Sequence, residues 1–185
     1  MQTYPSPDDI QQMKQRGYDR VIIADAEETL CLWQMMKDIQ TQIEQAFANV
    51  TLGDGIGLWQ AQGIDDYKTA TECHVLRQRD ETLDWTNIPT QDLNDCNSSL
   101  SFFDAAGMRF YLPAFLLADL RGEWRFNLIF HLCELSNDKQ QKFALLNQVQ
   151  RDAVRAYLTW IASDSDFELH RNVILKTLND GDWSA

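Results

Sequence analysis

Apolar residues recur at helical spacing along much of the chain, and they predict a mostly α-helical protein. The clearest stripe advances in steps of four and three residues and consists of Leu32, Met36, Ile39, Ile43, Ala46 and Val50. That spacing lies along one face of a helix. Asp25, with Glu28 three residues later, is typical of its start. Because the stripe lasts under three heptads, we expect a helix facing a core rather than a coiled-coil seam.

Capping signals predict further helices on both sides of this stripe. Ser6 and Pro7, followed by two acids, begin a short helix that should end near Gly17, and Asp19 to Ile23 is expected to be extended. Other helical segments are predicted at 58–67, from 69 onward, at 88–97, from Asn147 with Gln150, and after Ser165 with Glu168. Residues 127–135 are apolar on both sides, which fits a buried strand as well as a buried helix.

The segment from Leu100 to Leu120 is the expected centre of the fold. Two runs of strand-forming residues, 100–103 and 108–112, flank a turn, which predicts a β-hairpin (about 100–112) with Gly107 in the left-handed conformation. Pro113 then begins a helix (about 113–121) that is apolar nearly all round and therefore buried. The predicted fold class is α+β, predominantly α-helical, with helices packed around this hairpin and this buried central helix.

Composition and charge narrow the class of protein. The 185 residues, 44% of them hydrophobic, predict a single domain over 1–185, with 1–24 as a candidate N-terminal appendage. The net charge of −12 opposes binding to nucleic acid or to an anionic membrane, but it is compatible with a basic protein partner. We expect a cytoplasmic protein for three reasons. The chain starts with polar and acidic residues, it has no apolar run of membrane-spanning length, and its four Cys lack CxxC spacing.

Several clusters invite a chemical interpretation, but none forms a complete motif. The run Gly53-Asp54-Gly55-Ile56-Gly57 lacks the Lys-Ser/Thr of a phosphate-binding loop and the ligands of a calcium loop, so we interpret it as a turn. Asp65 and Asp66 point about 100° apart on a helix and would need a further carboxylate to hold a cation. His131 and Cys133 would share a strand face, yet no further zinc ligand is marked by spacing. We therefore predict no metal, cofactor or catalytic residue.

Arg109 is the least expected residue of the central segment. Alternation along a strand would place Arg109 and Tyr111 on the face opposite Met108, Phe110 and Leu112. That second face either meets solvent or lines a polar groove together with Asp104 or Asn97. The candidate functional surface predicted from the sequence comprises Asp54, Asp65, Asp66, Asn97, Arg109 and Tyr111.

Three segments resemble an uncharacterised bacterial family of unknown function. They are LGDGIGLWQAQGIDDY, NSSLSFFDAAGMRFYLPAFLLADLRGE and FALLNQVQRDAVRAYLTW, and the resemblance extends from about residue 40 to about residue 165. The first forty residues lie outside it. The resemblance implies a small soluble bacterial protein without an assigned activity, and it offers no catalytic residues to carry over.

Two functional hypotheses follow from the sequence. The first is a non-enzymatic acidic interaction protein, an antitoxin-like, immunity-like or regulatory partner of a basic protein, because the charge is high and hydrolase, kinase and nucleotide motifs are missing. The alternative is a small-molecule-binding protein or an enzyme with a pocket near the hairpin and the glycine turn. A concave pocket in which Arg109, Tyr111 and two or more carboxylates converge would favour this alternative.

Overall fold

The described part of the protein is all-α. The computed structural model describes residues 4–133, 141–163, 168–180 and 183, and it contains no strand there. Its α-helices are α1 (Pro7–Gln15), α2 (Arg20–Ala46), α3 (Leu58–Asp65), α4 (Ala70–Arg77), α5 (Thr90–Asp95), α6 (Ala105–Leu120), α7 (Ile129–Cys133), α8 (Gln148–Ser163) and α9 (Glu168–Asp180). Two 3-10 turns lie at Trp85–Asn87 and Ser99–Ser101. The prediction of a predominantly α-helical protein is therefore confirmed for these residues, and the β part of the predicted α+β class is wrong.

The chain divides into two compact units, Met1–Thr41 and Gln42–Ala185. In the first unit, the predicted cap of α1 is confirmed, since Ser6 Oγ accepts from the Asp9 backbone N–H and Asp9 accepts from the Ser6 N–H. The extended segment predicted at Asp19–Ile23 is wrong. Asp19 Oδ1 accepts from the Val21 N–H at 2.8 Å, and the Asp19 carbonyl accepts from the Ile23 N–H. These bonds start α2 at Arg20, five residues before the predicted start.

Only the C-terminal part of the apolar stripe on α2 is fully buried. Ile43 and Ala46 on α2, and Val50 beyond the end of α2, belong to the core of the second unit. Leu32 is exposed, and Met36 and Ile39 are half-buried. The prediction of a core-facing helix is therefore confirmed for its last two turns.

Helix α6 lies at the centre of the second unit. Twelve of its sixteen residues are buried, on every side of the helix, so the predicted buried helix is confirmed but is longer than expected. The Tyr111 ring stacks on Phe103 with centroids 5.0 Å apart, and Phe115 meets the Trp124 ring edge to face at 4.9 Å. Such aromatic pairs add directional packing to a large burial of apolar surface.

The predicted β-hairpin is wrong because residues 105–112 belong to this helix. Asp104 caps it, with its Oδ1 accepting from the Gly107 N–H at 2.8 Å. Tyr111 is as buried as Phe110 and Leu112, so the two-sided alternation of a strand does not exist here. Pro113 lies inside the helix rather than at its start, where it cannot donate to the carbonyl four residues earlier. Burial on all sides outweighs that missing bond.

The glycine turn packs directly against the first turn of α6. Asp104 Oδ1 also accepts from the Ile56 N–H at 3.1 Å and so joins the two segments. A Cβ on Gly107 would lie 2.4 Å from the Ile56 carbonyl oxygen, and one on Gly55 would lie 2.7 Å from the Ala106 Cβ. Gly107 does not have the predicted positive φ. Its missing side chain serves this close approach instead.

The C-terminal helices follow the sequence prediction more closely. Asn147 and Gln150 form the reciprocal cap of α8, each side chain accepting from the other's backbone N–H. The buried Tyr157 on α8 donates its hydroxyl to Asp119 of α6 at 2.6 Å. The ambiguous segment 127–135 is helical at Ile129–Cys133. Ser165, the predicted cap of the last helix, lies outside the described residues, as do 134 and 135.

Across the described residues, no helix is both long enough and apolar enough to cross a membrane.

Candidate functional site

A cleft of about 240 Å³ opens in the second unit, where four parts of the chain meet. These are the N-terminus of α3, the loop after α4, the segment leading into α5, and the middle of α6. The lining residues are Leu58, Trp59, Arg79, Asp80, Glu81, Asn87, Ile88, Pro89, Asp92 and Tyr111. We call it the Asp80 cleft.

Asp80 caps helix α3 from a distant point in the sequence. The residue before the helix is Gly57, which has no side chain to accept the first backbone N–H groups. Asp80 Oδ1 accepts from the Trp59 N–H at 2.7 Å, and Oδ2 accepts from the Gln60 N–H at 3.4 Å. A Cβ on Gly57 would lie only 1.8 Å from Asp80 Oδ2. The glycine therefore makes room for a carboxylate that does the work of an N-cap side chain.

The Asp80 carboxyl has an unusual protonation equilibrium. Its side chain is completely buried, and this burial raises its pKa to about 6, because the charged form loses its hydration. Two influences lower this pKa: the hydrogen bonds from the Trp59 and Gln60 N–H groups, and the Arg77 guanidinium, whose Nη1 lies 4.0 Å from Asp80 Oδ2. The effect of burial is larger than both. The charge of this group therefore changes close to neutral pH.

The Trp59 indole forms one wall of the cleft and is held on two sides. Its Nε1–H donates to Asp92 Oδ2 at 3.4 Å. The Arg79 guanidinium lies over the ring, 3.7 Å from the ring centroid. This is the geometry of a cation–π contact. The cleft wall therefore already presents an aromatic face to a guanidinium of the chain itself.

Glu81 and Tyr111 form another part of the lining. Glu81 Oε1 accepts from the backbone N–H groups of Leu83 and Asp84, which lower the pKa of Glu81, and also from Thr82. Tyr111 donates its hydroxyl to the Glu81 carbonyl at 2.9 Å. Burial raises the pKa of Tyr111. Tyr111 is therefore a fixed neutral donor that anchors the loop, while Glu81 keeps its negative charge.

The lining suits a cation better than an anion. The lining includes two carboxyl groups, on Glu81 and Asp92, and one basic side chain, Arg79, while the third carboxyl group, on Asp80, is buried against α3. The nearby Cys96 is no nucleophile in this setting, because burial and the neighbouring Asp80 charge raise its pKa to about 12. Among the described residues, no group of three or more His, Cys, Asp or Glu side chains is arranged to hold a metal ion.

Of the six residues predicted from the sequence, the structure places Tyr111 in this cleft. Arg109 lies on helix α6 and not on a strand, so the predicted shared face with Tyr111 is wrong; its Nε is buried without a hydrogen-bond partner. Asn97 is half-buried and donates to the Asn94 carbonyl.

The three predicted aspartates do not line the cleft. Asp54 is exposed in the glycine turn. Asp65 and Asp66 lie at the opposite end of α3, where Asp66 accepts from the Gln62 side-chain amide at 3.1 Å. The Asp80 cleft therefore shares Tyr111 with the predicted surface, and its carboxyl groups are other ones, on Asp80, Glu81 and Asp92.

The sequence prediction did not include Trp59, Arg79, Asp80, Glu81 and Asp92. One signal was available, because Gly57 precedes a helix without supplying a cap and so requires an acceptor from elsewhere. Nothing local indicates that the acceptor lies at Asp80, within a charged stretch that is typical of a solvated loop.

Residues 35–180 match a family described as "Family of unknown function (DUF6714)". The chain belongs to DUF6714. The match covers the whole Asp80 cleft, the glycine turn and helix α6, while residues 1–34 lie outside it. The DUF6714 match confirms the resemblance to a family of unknown function and brings no activity with it. No curated protein and no solved structure matches the chain.

Proposed function

We propose that this DUF6714 protein is a non-enzymatic, acidic binding protein that recognises a cationic side chain of a basic protein partner in the Asp80 cleft. The observation that carries the proposal is a cleft lined by the carboxyl groups of Glu81 and Asp92, whose wall, Trp59, already carries a guanidinium. Carboxylates and an aromatic face together form the usual environment for Arg or Lys recognition.

The size of the cleft supports a single side chain as its occupant. Pockets for drug-sized ligands span about 300–1,000 Å³, whereas this cleft has about 240 Å³. The contact of Arg79 with the Trp59 ring shows how a guanidinium packs on this wall, and Asp92, bonded to the indole edge, offers a carboxylate beside it. A planar guanidinium fits this combination better than a compact ammonium, because it stacks and donates in parallel.

The charge of the whole chain supports a basic partner. A formal charge of −12 attracts positively charged proteins over distances near the Debye length and raises their association rate. Binding should therefore weaken as ionic strength rises. The same charge opposes nucleic acid as the ligand.

The position of Asp80 favours binding over catalysis. Its carboxyl has the perturbed pKa that often marks a catalytic group. However, the side chain is fully buried against the N-terminus of α3 and is occupied by two backbone N–H groups. It supports the cleft wall from behind and does not reach a ligand.

Asp92→Asn should weaken binding of an arginine-containing basic peptide by about tenfold, since one close charge pair contributes about 1.4 kcal/mol or more. Isothermal titration calorimetry with the peptide and with its citrulline counterpart measures this. Citrulline keeps the shape of arginine and removes the charge, so its peptide should not bind detectably. The control is Asp54→Asn, which removes an exposed carboxylate outside the cleft and should leave the affinity unchanged.

Equal binding of the arginine and citrulline peptides would contradict the proposal, as would equal losses for Asp92→Asn and Asp54→Asn. A second arm with N-acetyl-arginine amide tests the source of the cation. If this small molecule binds as tightly as the peptide, the ligand is a free guanidinium compound, as in the small-molecule alternative, and not the side chain of a protein.

A further inference from the structure

The Arg79 guanidinium covers part of the Trp59 wall of the Asp80 cleft. Arg79 lies in the loop after α4, and its Cζ atom is 3.7 Å from the centroid of the Trp59 ring. At that separation the two groups are in van der Waals contact, so no other side chain fits between them. Both residues line the cleft. The ring face beneath Arg79 is therefore already occupied by a guanidinium of the chain itself.

Among the described residues, only the Trp59 ring holds the Arg79 guanidinium. It forms no hydrogen bond and no ion pair there, and the residue is exposed. Arg77, two residues earlier, is held differently. It donates to the Gly53 carbonyl at 3.1 Å, and its Nη1 lies 4.0 Å from Asp80 Oδ2. Arg77 is thus fixed by polar groups, whereas the Arg79 guanidinium is held by an aromatic contact alone.

A contact of this kind is readily released. A cation–π contact at an exposed site favours the stacked over the free side chain by about two- to fivefold. The backbone of Arg79 is held independently of its side chain, because its N–H donates to the Leu76 carbonyl at 3.0 Å. Release therefore needs only rotation of the Arg79 side chain, which is a fast motion for an exposed residue and leaves the fold unchanged.

A guanidinium that enters the cleft competes with Arg79 for the same ring. Asp92 accepts from the Trp59 indole N–H at 3.4 Å, so a cation attracted to Asp92 arrives beside the ring. There it also approaches Arg79, and two like charges at short separation repel each other. Because Arg79 is exposed and has no other partner among the described residues, it can move into solvent and leave the ring to the incoming group.

We propose that Arg79 is an internal competitor for the Asp80 cleft: it occupies the Trp59 wall in the free protein, and an arginine side chain of the basic partner replaces it. This inference rests on the proposed function and adds the regulation of the same site. The apparent affinity of a ligand falls with the fraction of the protein that is open to it. A two- to fivefold preference for the stacked form leaves about one molecule in three to one in six open.

Arg79→Gln should raise the affinity for the arginine peptide by about three- to sixfold, because the stacked form is lost. Isothermal titration calorimetry of the wild type and the variant with the same peptide measures this gain. Arg125→Gln is the matched control, since it removes the same charge from an exposed arginine that does not line the cleft. It makes the chain equally more acidic and should change the affinity by less than about twofold.

The NMR resonance of the Arg79 Nε–H group, assigned with Arg79→Gln in isotope-labelled protein, shows whether the side chain leaves the ring. In the free wild type the ring current of Trp59 should displace this resonance from the position of a solvated arginine. Saturation with unlabelled arginine peptide should return it to that position. This readout is made on the wild type and does not depend on how well a variant folds.

A resonance that stays displaced at saturation, or that is not displaced in the free protein, would overturn the inference and leave the proposed function intact. So would an affinity of Arg79→Gln that is unchanged or lower, or an equal gain in Arg125→Gln. Absence of peptide binding to both the wild type and Arg79→Gln would contradict the proposed function, and this inference with it.

Discussion

Gly107→Ala is expected to lower the free energy of unfolding by about 3 kcal/mol, the upper end of the usual cost of overpacking. The added Cβ would lie 2.4 Å from the Ile56 carbonyl oxygen, far inside contact distance, and 3.1 Å from side-chain atoms of Phe103 and Asp104. The carbonyl belongs to the backbone of the glycine turn and cannot rotate away. Because Asp104 also holds the Ile56 N–H, any shift of the turn breaks the link between the two segments.

The sign of the Gly107→Ala effect makes it informative. In the interior of an ordinary helix, replacing Gly by Ala stabilises by about 1 kcal/mol, because alanine loses less backbone entropy on folding. Here steric overlap should reverse that sign. Gly63→Ala is the matched control: it also lies within a helix, and its added Cβ would meet the end of the flexible Leu76 side chain at 2.5 Å. We expect a much smaller change there, measured by urea unfolding of both variants.

Stabilisation or no change in Gly107→Ala would contradict the close packing of the glycine turn on α6. An equal loss in both glycine variants would mean that general helix crowding, not the backbone carbonyl of Ile56, sets the cost.

Asp80→Asn is expected to change stability in a strongly pH-dependent way. The folded-state pKa of about 6 lies above the ordinary value of 3.8. The protonated carboxyl is therefore favoured by folding, and its contribution is fully present below about pH 3.8 and is lost as the pH rises through about 6. That difference in pKa corresponds to about 3 kcal/mol. The wild type should thus lose this amount relative to Asp80→Asn between about pH 3 and about pH 7.5, and about 2 kcal/mol of it between about pH 4.5 and about pH 7.5.

Urea unfolding of wild type and Asp80→Asn at about pH 4.5 and about pH 7.5 tests this linkage. The stability difference should shift toward the asparagine variant at the higher pH, while contributions from groups common to both proteins cancel. Glu81→Gln is the control. Because backbone hydrogen bonds lower the pKa of Glu81, its stability difference from the wild type should shift toward the wild type as the pH rises. A pH-independent difference for Asp80→Asn, or one that moves in the direction of Glu81→Gln, would contradict the raised pKa.

Local capping chemistry made the ends of several helices predictable from the sequence. The caps of α1 at Ser6 and of α8 at Asn147 were correct because each involves residues three positions apart. The error at residues 100–112 arose because strand-forming residues occupy a helix whose every face is buried. The intrinsic helix or strand propensity of a residue predicts little inside such a buried helix, because the packing of its side chain contributes more to stability. Asp104 is a reasonable helix cap in retrospect, but it is also common in turns.

The candidate site was harder to predict because its contacts are not local. The bonds from Trp59 to Asp80 and to Asp92 join residues 21 and 33 positions apart. No periodicity within one helix encodes such pairs. Tyr111 was found because it lies in the central apolar segment, and Arg109 was grouped with it through an alternation that a helix does not have. The glycine turn was correctly interpreted as structural, although its role is close packing more than positive φ.

The most direct test of the central claim, that the Asp80 cleft holds a cation, is an NMR titration of the indole Nε1–H resonance of Trp59, assigned with Trp59→Phe. The Trp59 indole proton is bonded to Asp92 and its ring carries Arg79, so a cation entering the cleft must change its environment. We predict a saturable shift of this resonance with the arginine peptide and none with the citrulline peptide. An unmoved Trp59 resonance in the presence of bound arginine peptide would contradict the account.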